Sequence, residues 1–183
     1  MKASTVNRRQ FLRGDLRGDR RQPRPPWAAP EPVFLDGCDR CGRCVEACPE
    51  GILKVGSGGF PVVDFRPGEC TFCEACVEVC RPGVLHITRD AHGRAASPWD
   101  AEVRIGENCL AHQGVVCQIC GEQCEERAIR FQHAAGGKVL PVVDNAVCTG
   151  CGACVGPCPV RAVTVLASAI EEGPTSEQRS MAQ

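Results

Sequence analysis

The stretch Cys148-Thr149-Gly150-Cys151-Gly152-Ala153-Cys154-Val155-Gly156-Pro157-Cys158-Pro159 decides how the rest of the chain is read. Its spacing, C-x-x-C-x-x-C-x-x-x-C-P, is that of a run holding a [4Fe–4S] cubane, which needs four thiolates, one per iron. The two-residue gaps let three thiolates converge from one tight loop. Gly150, Gly152 and Ala153 are expected to keep that loop's backbone close to the inorganic core, where amide N–H groups can point at sulfur. The fourth cysteine points away and serves a neighbouring cluster.

The run recurs. Cys38, Cys41, Cys44 and Cys48-Pro49 keep the spacing, as do Cys70, Cys73, Cys76 and Cys80. A third run departs from it: seven residues, Leu110 to Val116, separate Cys109 from Cys117, after which Cys120 and Cys124 follow in the usual places. A longer first loop still permits ligation, because closure cost rises slowly with length. It sets Cys109 apart from its run and leaves His112, inside the gap, as an alternative ligand. Sixteen cysteines in 183 residues also admit structural zinc or a disulfide framework, but clustered C-x-x-C runs read first as cluster sites. Aromatic residues are scarce and tyrosine is absent, so inorganic clusters are expected to supply part of a thin interior.

In two-cluster ferredoxins the last cysteine of each run ligates the other run's cluster. That rule gives four ligand sets. Cys38, Cys41, Cys44 and Cys80 hold the first cluster, and Cys70, Cys73, Cys76 and Cys48 the second. Cys109, Cys117, Cys120 and Cys158 hold the third, and Cys148, Cys151, Cys154 and Cys124 the fourth.

After each last cysteine stands a short apolar pattern: Ile52-Leu53-Lys54-Val55, Val84-Leu85-His86-Ile87, Ala128-Ile129-Arg130-Phe131 and Ala162-Val163-Thr164-Val165. Such alternation predicts half-buried strands, with room for one helical turn between cysteine and strand. The tetrapeptide Pro-Val-Val-Asp occurs twice, at 61–64 and 141–144, each time after a glycine-rich turn, which predicts the returning strands of hairpins. The fold expected is α+β: a tandem pair of two-cluster bacterial-ferredoxin-like domains, with short strands and short helices around [4Fe–4S] clusters. The domains are placed at 33–88 and 109–166, joined by a polar linker at 89–108 and followed by a tail at 167–183.

Residues 1–32 form a basic, flexible arm with eight basic and three acidic residues. Asn7-Arg8-Arg9-Gln10-Phe11-Leu12 looks like a twin-arginine export motif. The apolar stretch and cleavage site of a signal do not follow it. The protein is therefore expected to stay in the cytoplasm. The arm reads either as a solvated tail or as a docking arm for an acidic partner, with Arg8, Arg9, Phe11 and Leu12 as its contacts. Trp27 either anchors the arm's end on the body or lies in exposed linker.

The formal charge is −1, and four cubanes with their thiolates would bring the holoprotein to roughly −9. A nucleic-acid partner is not expected, nor, without a long apolar run, a membrane span. No nucleophile stands with a base and no phosphate loop follows a strand. The chain therefore reads as an electron carrier, not an enzyme.

Several features together resemble the NapF family, the ferredoxin-type proteins of the periplasmic nitrate reductase system. They are Asn7-Arg8-Arg9-Gln10-Phe11-Leu12-Arg13-Gly14, Pro25-Pro26-Trp27, Gly58-Gly59-Phe60-Pro61, Ser97-Pro98-Trp99-Asp100, Ile105-Gly106-Glu107-Asn108-Cys109-Leu110-Ala111 with its long gap, and Cys117-Gln118-Ile119-Cys120. The resemblance implies a cytoplasmic protein with four [4Fe–4S] clusters. It also implies an accessory role: binding the catalytic molybdenum subunit of the periplasmic nitrate reductase before export, as a maturation and redox partner. The alternatives are an electron-transfer subunit of another oxidoreductase complex and a zinc-binding interaction module.

Overall fold

The computed structural model describes residues 23–99 and 101–167. The arm through residue 22, with Arg8, Arg9, Phe11 and Leu12, and the tail from residue 168 lie outside the described residues.

Two hairpins form where the repeated tetrapeptide places them. Strands β1 (Leu53–Val55) and β2 (Pro61–Val63) pair antiparallel, with Leu53 opposite Val63. A second antiparallel pair sets Ile129 opposite Val143, in strands β4 (Ile129–His133) and β5 (Val139–Val143). Each hairpin turns through a single 3-10 turn with a left-handed glycine, Gly58 or Gly136. Both strands of a two-stranded sheet are edges, so Pro61 and Pro141 remove no ladder bond that a further strand would need.

A third sheet joins β3 (Ala101–Ile105) to β6 (Val163–Ala167), with Val103 opposite Val165. This corrects the linker expected at 89–108, whose second part is a strand alternating apolar and polar residues, with Val103 buried. The strand expected at Val84–Ile87 is corrected too. It is reduced to one bridge, Leu85 opposite Ala28, flanked by bonds from the Ala29 N–H to the Val84 carbonyl (2.8 Å) and from the His86 N–H to the Trp27 carbonyl (3.1 Å). Its partner lies between Pro25-Pro26 and Pro30, and prolines lack the N–H that a longer ladder needs.

The end of the expected arm is packed. Pro25 is fully buried, Trp27 and Ala29 are buried, and helix α1 (Glu31–Gly37) turns Phe34 into the interior. Pro32 sits in the first turn of α1, where its missing N–H costs nothing. Trp27 donates from Nε1 to the Ala96 carbonyl at 3.0 Å, so it anchors on the body.

Three further helices are single turns: α2 (Arg43–Ala47), α3 (Ala75–Glu78) and α4 (Ile119–Glu122). They lie before the last cysteine of their runs and not after it as expected, because Cys44 to Cys48 is one helical turn in length. The fourth run shows only turns over 153–157; Gly156 and Pro157 there are poor helix formers. The apolar interior is continuous, running from Phe34, Ile52, Leu53 and Phe65 to Val103, Ile129 and Val163.

Candidate metal centres

The cysteine loops owe their tightness to left-handed residues. Arg40, Phe72 and Gly150 occupy the second position after the first cysteine of runs one, two and four, at φ 57°, 55° and 74°. Gly42, Glu74 and Gly152 repeat the conformation one cysteine later, at 77°, 64° and 83°. The reversals turn successive thiols toward one centre.

Two hollows result, each partly open to solvent. One is lined by Cys38, Cys41, Cys44 and Cys80 together with Phe34 and Val84. The other is lined by Cys48, Cys70, Cys73 and Cys76, closed over by Trp27 and Phe72. Each hollow thus takes three thiols from one run and the last thiol of the other. The structure therefore brings together the first two sequence-derived sets.

Electrostatics group the remaining thiols. Cys120 feels Cys109 and Cys117, while Cys158 packs with Val160 against Cys109, Ala111 and Ala162. Cys148 feels Cys151 and Cys124, and Cys154 feels Cys151 and Cys148. Cys109, despite its long gap, is buried beside Cys120. The contact described for His112 is its carbonyl, which accepts from Lys138 Nζ at 3.0 Å.

Burial pushes the Cys44 and Cys70 thiols up to about 11 and those of Cys76 and Cys154 up to about 12, with repulsion from neighbouring cysteines adding to it. Cys120 is likewise raised to about 11, by burial and then Cys109. Thiols crowded this way hold their protons unless a cationic core takes their place, so ligation must release protons. Four thiol donors from two runs and apolar walls suit a cluster. Among the described residues no three His, Cys, Asp or Glu could hold a single metal ion, whereas thiolates on one zinc stand only about 3.8 Å apart.

Hydrogen bonds to sulfur were visible in the sequence only as a general expectation. The Gly150 N–H donates to Cys148 Sγ (3.4 Å), as the small residues of that loop suggested. Two others recur as a pair: the Ala128 N–H reaches Cys124 Sγ at 3.3 Å and the Ala162 N–H reaches Cys158 Sγ at 3.2 Å, each four residues on. Arg43 Nε adds a charged donor to Cys41 Sγ at 3.2 Å. A donor four positions after the run's last cysteine, at the start of an apolar strand, is the signal that would have found the recurring pair.

Comparison with known proteins fixes the family. Residues 37–84 match a 4Fe–4S dicluster domain and residues 141–164 a 4Fe–4S binding domain. The ferredoxin-type protein NapF of Escherichia coli K12 is 43% identical over 87% of this chain and 93% of its own length. The chain belongs to the NapF family of ferredoxin-type proteins. A NapF protein of Haemophilus influenzae is 39% identical over 90% of this chain and 96% of its own length. More distantly, the methylamine utilization ferredoxin-type protein MauM of Paracoccus denitrificans is 34% identical, over 76% of this chain and 68% of its own. Likeness to NapF thus extends across the irregular third run, which lies between the two matched domains.

Proposed function

We propose that this NapF-family chain is a polyferredoxin of two tandem two-cluster domains carrying four [4Fe–4S] clusters. In this reading it acts in the cytoplasm as an accessory, maturation and redox partner of the catalytic molybdenum subunit of the periplasmic nitrate reductase, before that subunit is exported. The observation that carries the cluster reading is the pair of hollows, each ringed by four thiols drawn crosswise from two runs. The partner and compartment rest on the family.

The ligand sets are Cys38, Cys41, Cys44 and Cys80; Cys70, Cys73, Cys76 and Cys48; Cys109, Cys117, Cys120 and Cys158; and Cys148, Cys151, Cys154 and Cys124. When bound, such clusters supply one-electron transfer over a wide range of potential. The chain's own part is to hold the thiols, to exclude water and to place donors at sulfur. Trp27, Phe72 and Phe34 wall the first two hollows, and Arg43 holds a positive charge at Cys41 near the solvent edge. In this reading the first unit also takes in residues 23–32, whose Trp27 and Ala29 are buried, and the second also takes in Ala101–Ile105, paired with β6.

Anaerobic purification with iron and sulfide quantitation tests the cluster count, with about sixteen irons per chain expected and about twelve overturning the third set. Capture of the unexported reductase subunit by the holoprotein tests the partner. Deleting residues 1–22, which stops short of the packed Pro23–Trp27 segment, should weaken that capture without loss of brown colour; unchanged capture would remove Arg8, Arg9, Phe11 and Leu12 from the interface. A second reading, an electron-transfer subunit of another oxidoreductase complex, draws on the likeness to MauM. A permanent subunit would stay bound to its complex through salt and size exclusion, whereas an accessory protein would not.

A further inference from the structure

Where the two halves meet, they meet at cysteine loops. The Cys70 N–H, in the second run, donates to the Cys151 carbonyl, in the fourth, at 2.8 Å. Beside this bond the two halves interlock. Phe65, just after the first hairpin, fills the space that a side chain on Gly152 would need, so that a β-carbon built there would collide with the Phe65 ring. Gly156 lies nearby against the Arg66 and Phe65 carbonyls, which a β-carbon there would meet at 3.2 and 3.4 Å. Trp99 lies over Gly150 on one side. On the other it meets Phe72, of the second run, edge to face at 6.1 Å and Phe65 at 5.7 Å.

The left-handed turn at 152 does not by itself require glycine; the absence of a side chain there serves this contact. Gly42 and Glu74 hold the same left-handed conformation in runs one and two. Glu74 shows that a side chain is tolerated there, and a β-carbon on Gly42 would meet nothing within 4 Å. Only at 152 is the missing side chain replaced by a residue of the other half.

Within each half the runs also abut. Cys76 is within electrostatic reach of Cys44, and Cys154 within reach of Cys120. The spatial order of the four thiol sets is therefore first, second, fourth, third, and the second and fourth form the middle pair.

We infer that the contact of Cys70 with Cys151, clamped by Phe65 in the notch of Gly152, is the electronic junction between the halves, making one relay of four centres. This rests on the four-cluster reading above. The step is the passage of a single electron from a reduced centre in one half to an oxidised centre in the other. No bond forms or breaks, no proton moves, and no outside oxidant or reductant takes part. The Cys70–Cys151 hydrogen bond supplies the short route, and Trp99, wedged between Phe72 and Gly150, keeps water from the seam.

The test uses partly reduced holoprotein and the hyperfine-shifted β-CH2 proton resonances of its cysteines. In the parent protein these should move together as electrons are added, through exchange independent of protein concentration. Gly152→Ala should split them into two sets, one per half, that exchange only by the slower, concentration-dependent intermolecular route. Gly93→Ala, in the polar turn after Asp90, imposes a comparable left-handed strain at φ 76° with nothing within 4 Å of the added carbon and should behave as the parent. Gly152→Ala combined with Phe65→Ala reopens the space and should restore joint behaviour. Two separate sets in the parent, or one set in Gly152→Ala, overturns the junction. Iron and sulfide measured on the same samples separate the two ideas: a count below about sixteen irons in the parent defeats the four-cluster reading, while a full count with unlinked halves defeats the junction alone.

Discussion

The two copies of Pro-Val-Val-Asp make the same hairpin strand in two different surroundings. Val62 is 8% exposed and Val142, at the matching place, 43%. The 23–37 segment lies along the first hairpin, and the Val62 side chain also packs over Gly56 of its own turn. The Val63 N–H donates to the Pro23 carbonyl at 2.9 Å, and Arg24 reaches the Pro61 carbonyl at 3.3 Å. Its guanidinium also lies 5.1 Å from the centre of the Phe34 ring and 5.4 Å from that of Phe60, paired with Glu31 at 2.7 Å. The second hairpin keeps Val142 in contact with solvent. Identical local sequence thus fixes strand and register but not burial, which depends on what packs against it.

The broadest way to break this comparison is to remove the metal. Each thiol set staples distant segments, so chelating iron under reducing conditions should leave both halves largely unfolded, as circular dichroism would record. A cooperative, native-like apo transition would contradict that. Any structure the apo chain retains should weaken as pH rises. The buried thiols hold their protons to about 11 or 12, whereas unfolded cysteines ionise near 8.5. The folded state therefore binds more protons, and its advantage below about pH 8.5 is lost progressively toward pH 12.

Phe34→Ala attacks the covered half alone. Phe34 is fully buried and walls the first hollow, so the change should cost about 3–5 kcal/mol, read from the denaturant midpoint of cluster bleaching. The matched pair Val62→Ala and Val142→Ala sharpens the contrast. The first should cost about 2 kcal/mol and the second no more than about 0.5 kcal/mol; equal costs would mean that the second hairpin is covered too. Smallest is Arg24→Met, which keeps the stem but drops the charge between two rings and should cost about 1 kcal/mol.

The sequence made the local features legible. Cysteine spacing, the turn glycines and the repeated tetrapeptide sufficed for both hairpins and for the crosswise lining of the first two hollows. What stayed hidden was non-local. Trp27 and Phe34 lie in a proline-rich stretch whose role depends on what it touches. Ala101-Glu102-Val103-Arg104-Ile105 carried a strand's alternation, but its polar surroundings read as linker until its partner β6 was in place. Gly152 looked like a residue making room for an inorganic core, and only the position of Phe65 gives it another purpose.

The crosswise lining of the first hollow has a consequence for biosynthesis. Cys80 leaves the ribosome 36 residues after Cys44, roughly two to seven seconds later at ordinary rates of elongation. Until then neither of the first two thiol sets is both complete and locked in place by its neighbour. The nascent chain meanwhile exposes seven cysteines, Cys38 through Cys76, to oxidants and to stray metals. On the ligand sets proposed above, loading of the first half would await Cys80, and whatever delivers iron and sulfide would have to wait for, or shield, that interval.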